Sequence, residues 1–346
     1  MPAWTDVLRQ LLAPLAYFVS PAEEVCLLYV ALGVPLAAWV FAQAARGDGA
    51  LRRRGFARFY LQADAYGHPS ARLDLQVLVV NAVYGGLLLG PFLRLSPPLG
   101  DWVASALRAA APAPAASPLP GPLVNLAFTV AAALAADFAF FVTHVLFHRV
   151  PFLWELHKVH HEAEVLTPLS AYRGHPLSLL ITALVTMALV QTTEGLFRYF
   201  FPGELRLVTA FGVNAVIFVS YAAGSHLRHS HVPLSYGRAL ERLFISPRQH
   251  QVHHSADPRH FDKNFGGVFA VWDWLAGTLY VPAGDERLHF GLDPSAHRPS
   301  RSLRDVYLAP LARAFRPAGR AEGTTPERAA MAPALRADGR GQAPTT

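Results

Sequence analysis

The chain is organised around the stretch HVLFHRVPFLWELHKVHH, residues 144–161. A second histidine run, HQVHH, follows at residues 250–254. Residues three and four positions apart lie on one face of an α-helix, so each run can direct three imidazoles to one point. His144 and His148 form a pair with the same helical spacing. Imidazole is the most common metal ligand near neutral pH, so the pattern predicts metal binding.

Chance is the alternative explanation, because a chain with 16 histidines will contain pairs at helical spacing. However, 12 of the 16 lie between His144 and His254, and the spacing recurs. Eight rings exceed the ligands of one zinc site and therefore favour more than one metal ion. The histidines outside this region are predicted to be surface residues: His68, His260, His289 and His297.

The composition is that of a membrane protein. Of 346 residues, 52% are hydrophobic and 16% are charged. The net charge of +6 comes mainly from arginine, and in an apolar chain it favours cytoplasmic loops and anionic lipid over nucleic acid. The single cysteine, Cys26, excludes a disulfide framework and any cysteine-ligated zinc or iron–sulfur centre.

Five apolar stretches are candidates for spanning or re-entrant helices, because a bilayer core requires about 20 apolar residues. They are residues 25–45, 73–95, 123–145, 177–191 and 205–223. The predicted fold is an all-α polytopic membrane bundle, with about four to five spanning or re-entrant helices and a cytoplasmic cap rich in histidine.

The chain divides into four predicted parts. These are an interfacial N-terminal segment (1–23), N-terminal membrane helices with a linker (24–122), a histidine-rich domain (123–300) and a mostly disordered basic tail (301–346). The positive-inside rule places the arginine-rich loop at 46–72 on the cytoplasmic side. Both histidine runs then fall on that side, so we expect an integral membrane protein with a cytoplasmic active site.

An ordered set of motifs resembles the fatty acid hydroxylase superfamily, which includes sterol desaturases, sphingolipid and sterol hydroxylases, and alkylglycerol monooxygenase. The set begins with D-x6-H-x3-H at Asp137 and LW-x2-H-x2-HH at Leu153. It continues with R-x-HP at Arg173 and H-S-x-V at His229. It closes with SP-x2-H-x2-HH at Ser246, followed by D-x-NFG and WD-x3-GT.

The resemblance covers residues 137–280 and makes 123–300 a fatty acid hydroxylase-like catalytic domain. It implies a di-iron oxidoreductase with two non-haem iron ions, which uses O2 and two electrons to hydroxylate or desaturate a lipid (sterol, fatty-acyl or related). No flavin, haem or iron–sulfur motif is visible, so a separate electron-transfer protein is expected as a partner. By position, the resemblance assigns nine metal ligands: His144, His148, His157, His160, His161, His229, His250, His253 and His254.

Six further residues are candidates for additional ligands or for orienting the ligands: His175, His226, His231, Asp137, Asn264 and Asp273. Asp137 lies two turns before His144, about 10 Å along the helix, and cannot reach a metal there. We expect it to bond a histidine from another segment, to pair with an arginine or to face a water-filled pocket. Asn264 and Asp273 are expected either to orient ligands or to cap loops.

Two other functions fit a histidine-only ligand set. A zinc-dependent membrane hydrolase is one, although H-E-x-x-H is absent because Lys158 and Val159 separate His157 from His160. A non-enzymatic metal- or haem-binding membrane protein is the other. A transporter of this kind requires several polar residues inside its spans.

Overall fold

The computed structural model describes residues 12–85, 99–117, 119–283, 286–293, 295 and 297–315. The α-helices are, in chain order, α1 (Leu27–Gly47), α2 (Gly49–Arg54), α3 (Phe56–Leu61), α4 (Ala63–Gly67), α5 (Pro69–Tyr84), α6 (Leu99–Ala110), α7 (Gly121–Arg149), α8 (Pro151–His161), α9 (Pro176–Phe200), α10 (Ala215–Ala222), α11 (Pro247–His253), α12 (Val271–Ala276), α13 (Leu303–Tyr307) and α14 (Ala309–Ala314). Short 3₁₀ turns lie at Pro168–Tyr172, Ser225–Leu227, Leu240–Arg242 and Pro258–His260. The strands β1 (Thr209–Ala210) and β2 (Val213–Asn214) pair antiparallel. The predicted all-α class is confirmed.

Three helices of the described chain are long and apolar enough to cross a membrane: α1, α7 and α9. The prediction of a helical membrane protein is therefore confirmed. α7 packs along α9, and α9 packs in turn against α6. The predicted span at 73–95 is helical through α5 as far as Tyr84, and residues 86–98 lie outside the described part of the chain.

The predicted apolar segment at 205–223 does not form one helix. Its helical part, α10, has 8 residues and is about 12 Å long, too short to cross a bilayer. The preceding backbone turns at Phe211 and Gly212, which both have positive φ. Polar groups of α7 bind this extended backbone, since Val208 N donates to Thr129 Oγ1 and Arg206 N donates to Asn125 Oδ1.

The segment predicted as a disordered tail begins with two packed helices, α13 and α14. Val306 of α13 is fully buried in a cluster with Leu73 and Val77 of α5 and Val159 of α8. Residues 316–346 lie outside the described part of the chain. At the other end, the predicted interfacial helix is described only from residue 12, and residues 12–16 are helical.

Two of the histidines predicted to be surface residues are largely covered by the protein. His260 is 1% exposed, with its Nε2 3.1 Å from Glu286 Oε2. His297 Nε2 lies 2.6 Å from Oε1 of the buried Glu162. The prediction was wrong because both carboxylate partners are distant in sequence. His289 is exposed as expected.

A buried arginine joins the elements that carry the site. The Arg173 side chain is 1% exposed and ion-pairs with Asp74 of α5 at 2.9 Å and with Glu162 at 3.4 Å. Its Nε donates to the carbonyl of Val159 at the end of α8. Glu162 also accepts from Ser300 N, which holds the C-terminal segment in place. One guanidinium therefore fixes three segments around the histidine runs.

Arg173→Met should destabilise the fold strongly, because it leaves the buried Asp74 without its cation and Glu162 with only His297. Breaking a buried ion pair in this way costs about 3–5 kcal/mol. The exposed pair of Arg301 with Glu164 provides the control, and Arg301→Met should change the stability by about 1 kcal/mol or less. Thermal unfolding of both variants in detergent measures the difference, and equal midpoints would refute the assigned role.

Candidate metal centre

Five histidines from three segments form the first group, which we call group A: His144, His148, His157, His161 and His253. Their ligand nitrogens all lie within 4.8 Å of one another. None of the described residues offers a hydrogen-bond partner to any of the five Nε2 atoms, although all five are buried. Buried polar atoms normally have partners, so this arrangement fits a cation at the point where they converge.

Four histidines form the second group, group B: His160, His229, His250 and His254. His229 Nε2 lies 3.1 Å from Nε2 of both His250 and His254 and 3.3 Å from Nε2 of His160. A neutral imidazole nitrogen carries either one hydrogen or one lone pair, so these contacts cannot all be hydrogen bonds. Tetrahedral coordination with metal–nitrogen distances of about 2.0–2.1 Å gives nitrogens about 3.3–3.4 Å apart, close to the observed spacing.

Backbone carbonyls orient three of these rings. His144 Nδ1 lies 2.8 Å from Phe265 O, and His253 Nδ1 lies 2.8 Å from Lys263 O. In group B, His160 Nδ1 lies 3.2 Å from Arg173 O. A carbonyl only accepts, so each Nδ1 must carry the hydrogen and each Nε2 keeps its lone pair. This is the usual arrangement around metal-binding histidines.

Burial keeps the imidazoles uncharged. It lowers the pKa of His253 to about 4. Burial, with a smaller contribution from His253, also lowers the pKa of His160 to about 4. For His157 and His161, burial and then the neighbouring histidines hold the pKa well below its usual value. At neutral pH these rings therefore have lone pairs available for a cation.

Local sequence explains how each segment presents its rings. His144 and His148 lie one turn apart at the end of α7, and Pro151 begins the separate helix α8. α11 begins at a capping box, in which Ser246 Oγ accepts from Gln249 N and Gln249 Oε1 accepts from Ser246 N. The two H-x-x-H-H runs therefore reach the same centre from separate short helices, and each run contributes ligands to both groups.

Asp137 binds a loop and not a histidine. Its carboxylate accepts from Val268 N at 2.6 Å, Phe269 N at 2.9 Å and Trp272 Nε1 at 2.9 Å. The same loop supplies the two carbonyls that orient His144 and His253 of group A. Neither the expected histidine nor the alternative arginine is its hydrogen-bond partner among the described residues, although Asp137 does line the cavity described below.

Asp273 and Asn264 cap the same loop. Asp273 accepts from Phe265 N, Gly266 N and Thr278 Oγ1. Asn264 has a positive φ, donates to Gln249 O and accepts from Tyr280 N. Of the two roles left open by the sequence, loop capping is the one that these contacts describe, and through the loop it fixes the carbonyl partner of His144.

Three predicted histidines lie outside both groups. His175 caps α9, where its Nδ1 accepts from Leu177 N, and its Nε2 contacts Tyr307 O. His231 packs edge-on against Phe59. His226 is 3% exposed and lies so close to Gly33 of α1 that an added Cβ would be 2.2 Å from its Nε2.

A cavity of about 540 Å³ reaches both groups. Its wall includes His144 and His157 of group A and His160, His229 and His250 of group B. One face of α9 provides an apolar side through Leu179 and Ala183, together with Thr182 and Thr186. Glu23, Glu24 and Arg228 also line it, and no motif in the sequence pointed to these three residues.

The family model for fatty acid hydroxylase matches residues 129–278, the part of the chain that carries all nine histidines. Residues 129–278 therefore form a fatty acid hydroxylase domain. No solved structure matches it significantly.

The curated proteins that this chain resembles are lipid-modifying enzymes by name. Alkylglycerol monooxygenase of Caenorhabditis elegans is 28% identical over 156 residues, 45% of this chain and 28% of the relative. The human alkylglycerol monooxygenase is 27% identical over 159 residues, 46% of this chain and 32% of the relative. Ornithine lipid hydroxylase OlsE of Rhizobium tropici is 29% identical over 199 residues, 57% of this chain and 53% of the relative. The matches thus span between about a quarter and half of these relatives.

Asp137→Asn should weaken metal binding by about 10- to 100-fold, the usual effect of losing a residue that orients ligands. The new amide places an N–H2 group against backbone N–H donors, so the loop that orients His144 and His253 should shift. Metal retention during titration with a competing chelator measures the effect. Asp101→Asn, at a side chain 66% exposed, is the control. Equal retention in both variants would contradict the role of Asp137.

Proposed function

We propose that this protein is an integral-membrane lipid oxygenase in which the two histidine groups hold two iron ions. The observation that carries the proposal is that groups A and B line one cavity, with an apolar helix face opposite them. A centre that is open to an apolar cavity suits oxidation of a lipid chain.

The ligand chemistry and the relatives support iron. Nitrogen-only ligand sets suit iron, zinc, copper or nickel. The names of the relatives, monooxygenase and hydroxylase, favour the redox-active choice over zinc. Groups of five and four imidazoles exceed the three ligands of a catalytic zinc site, which also favours a pair of ions.

The proposed reaction inserts one oxygen atom into a lipid C–H bond: R–H + O2 + 2 e⁻ + 2 H⁺ gives R–OH + H2O. Desaturation uses the same co-reactants, removes two hydrogens and releases two waters. Bound iron would supply the dioxygen chemistry. The chain itself positions the nitrogens, keeps them unprotonated through burial, and excludes water by enclosing them between α7, α8 and α11.

The apolar face of α9 is the proposed site of the lipid chain. Leu179, Thr182, Ala183 and Thr186 follow the spacing of one helix face and point into the cavity from a helix apolar enough to span the membrane. A chain entering from the bilayer would therefore reach the histidines without crossing water. Alkylglycerols, ornithine lipids, sterols and fatty-acyl lipids all fit this class of substrate.

We propose that the site faces the cytoplasm and that a separate protein delivers the two electrons. Exposed arginines lie in the last turn of α1 and directly after it: Arg46, Arg52, Arg53, Arg54 and Arg58. The positive-inside rule favours a cytoplasmic position for them. The same positive surface would attract an acidic electron carrier, and electrostatic attraction of this kind raises the association rate.

The lipid product and the bound metal together separate an oxygenase from a zinc hydrolase. Lipid mass spectrometry of cells with and without the protein should show a product that has gained one oxygen or lost two hydrogens. His157→Ala should abolish that product, while the exposed His289→Ala should keep it. Purified protein should contain about two iron ions per chain. Zinc at that level, with oxygen-independent turnover, would instead indicate the hydrolase.

A further inference from the structure

The cavity beside the histidines has a charged end formed by Glu23, Glu24 and Arg228. The two glutamates lie in the turn before α1, which is anchored because the buried Tyr29 donates its hydroxyl to Pro21 O at 2.7 Å. Burial raises the pKa of both glutamates. Hydrogen-bond donors that approach these carboxyls would therefore replace solvation that the cavity removes.

The remaining charges in the cavity wall already have partners. Arg173 is paired with Asp74 and Glu162. Asp137 accepts three hydrogen bonds from the 268–272 segment. A ligand in the cavity therefore meets the charged end, which contains two carboxyl groups and one guanidinium.

Arg228 is incompletely paired. It is 7% exposed, and its Nη1 lies 3.8 Å from Glu24 Oε1, longer than a hydrogen bond. Its buried Nε has no hydrogen-bond partner among the described residues. Glu23, by contrast, accepts from the hydroxyl of Tyr172 at 3.1 Å. The charged end thus offers acceptors on the glutamates and an unused donor on Arg228.

We propose that this end binds the headgroup of the lipid substrate, and that the headgroup carries hydroxyl or ammonium donors with an acceptor oxygen, and no phosphate. The inference rests on the proposed oxygenase function. Hydroxyl or ammonium groups satisfy Glu23 and Glu24, and an oxygen of the same headgroup satisfies Arg228 Nε. A phosphate would bring its negative charge against two carboxyls and one guanidinium, which disfavours it.

The position of the charged end also restricts which carbon reacts. Arg228 directly precedes His229 of group B. Tyr172 directly precedes Arg173, whose carbonyl orients His160. Tyr172 and Arg228 line the same cavity as His160 and His229, so a headgroup bound here places the start of its chain beside group B. The oxidised carbon is therefore close to the headgroup, and the distal chain lies along α9.

The test compares three lipids that share a hexadecyl chain: the glycerol ether, the 2-aminoethyl ether and the phosphate. The purified, iron-loaded protein, supplied with O2 and a two-electron reductant, should oxidise the first two at least about tenfold faster than the phosphate. Fragmentation should place the change in the part of the chain next to the headgroup. Glu23→Gln with Glu24→Gln should raise KM for the two preferred lipids and reduce the discrimination. Glu204→Gln, at a side chain 70% exposed, is the matched control.

Lipid binding provides a readout independent of turnover. Native mass spectrometry should show the same order of affinities for the full-length protein, and the double variant should lose that order. If no lipid is oxidised but this binding order holds, the oxygenase function fails and the headgroup assignment stands. Equal binding of all three lipids, or the same selectivity in the double variant, would overturn the headgroup assignment. Oxidation in the middle of the chain would overturn the proposed position.

Discussion

The structure depends on uncharged imidazoles whose nitrogens converge, and in group A none of the five Nε2 atoms has a hydrogen-bond partner in the described part of the chain. In group B, four Nε2 atoms lie 3.1–3.3 Å from their neighbours, although each neutral ring can offer only one lone pair or one hydrogen there. Such crowding is unfavourable unless a cation lies between the nitrogens. The surrounding protein must therefore hold the rings firmly enough to resist their mutual repulsion.

Buried polar contacts provide that resistance. Arg173 ties α5 and α8 to the turn whose carbonyl orients His160. Asp137 ties α7 to the loop whose carbonyls orient His144 and His253. Gln251 adds a third contact, with its amide nitrogen donating to three carbonyls in the 227–232 segment beside His229. None of these three side chains is itself one of the grouped histidines, and buried hydrogen-bond networks of this kind favour one well-defined arrangement.

Helical spacing made eight of the nine histidines of groups A and B recognisable in the sequence, because a metal site needs several imidazoles on one side of short helices; His229 was recognised only from the family resemblance. Hydrophobic length made α1, α7 and α9 recognisable for a similar reason, since a bilayer sets the length of a span. The hairpin before α10 was not recognisable. Its backbone is held by Asn125 and Thr129, polar residues in a distant apolar helix. The partners of Arg173 and His297 were hidden for the same reason, because long-range pairing leaves no local pattern.

The contact between Gly33 and His226 links the evolution of two distant positions. Any side chain at position 33 would begin 2.2 Å from the imidazole, so Gly33 cannot be replaced while His226 keeps its place. A lineage that replaced the histidine first would be free to acquire a larger residue in α1. A larger residue at position 33 therefore requires the imidazole of His226 to move or to be replaced.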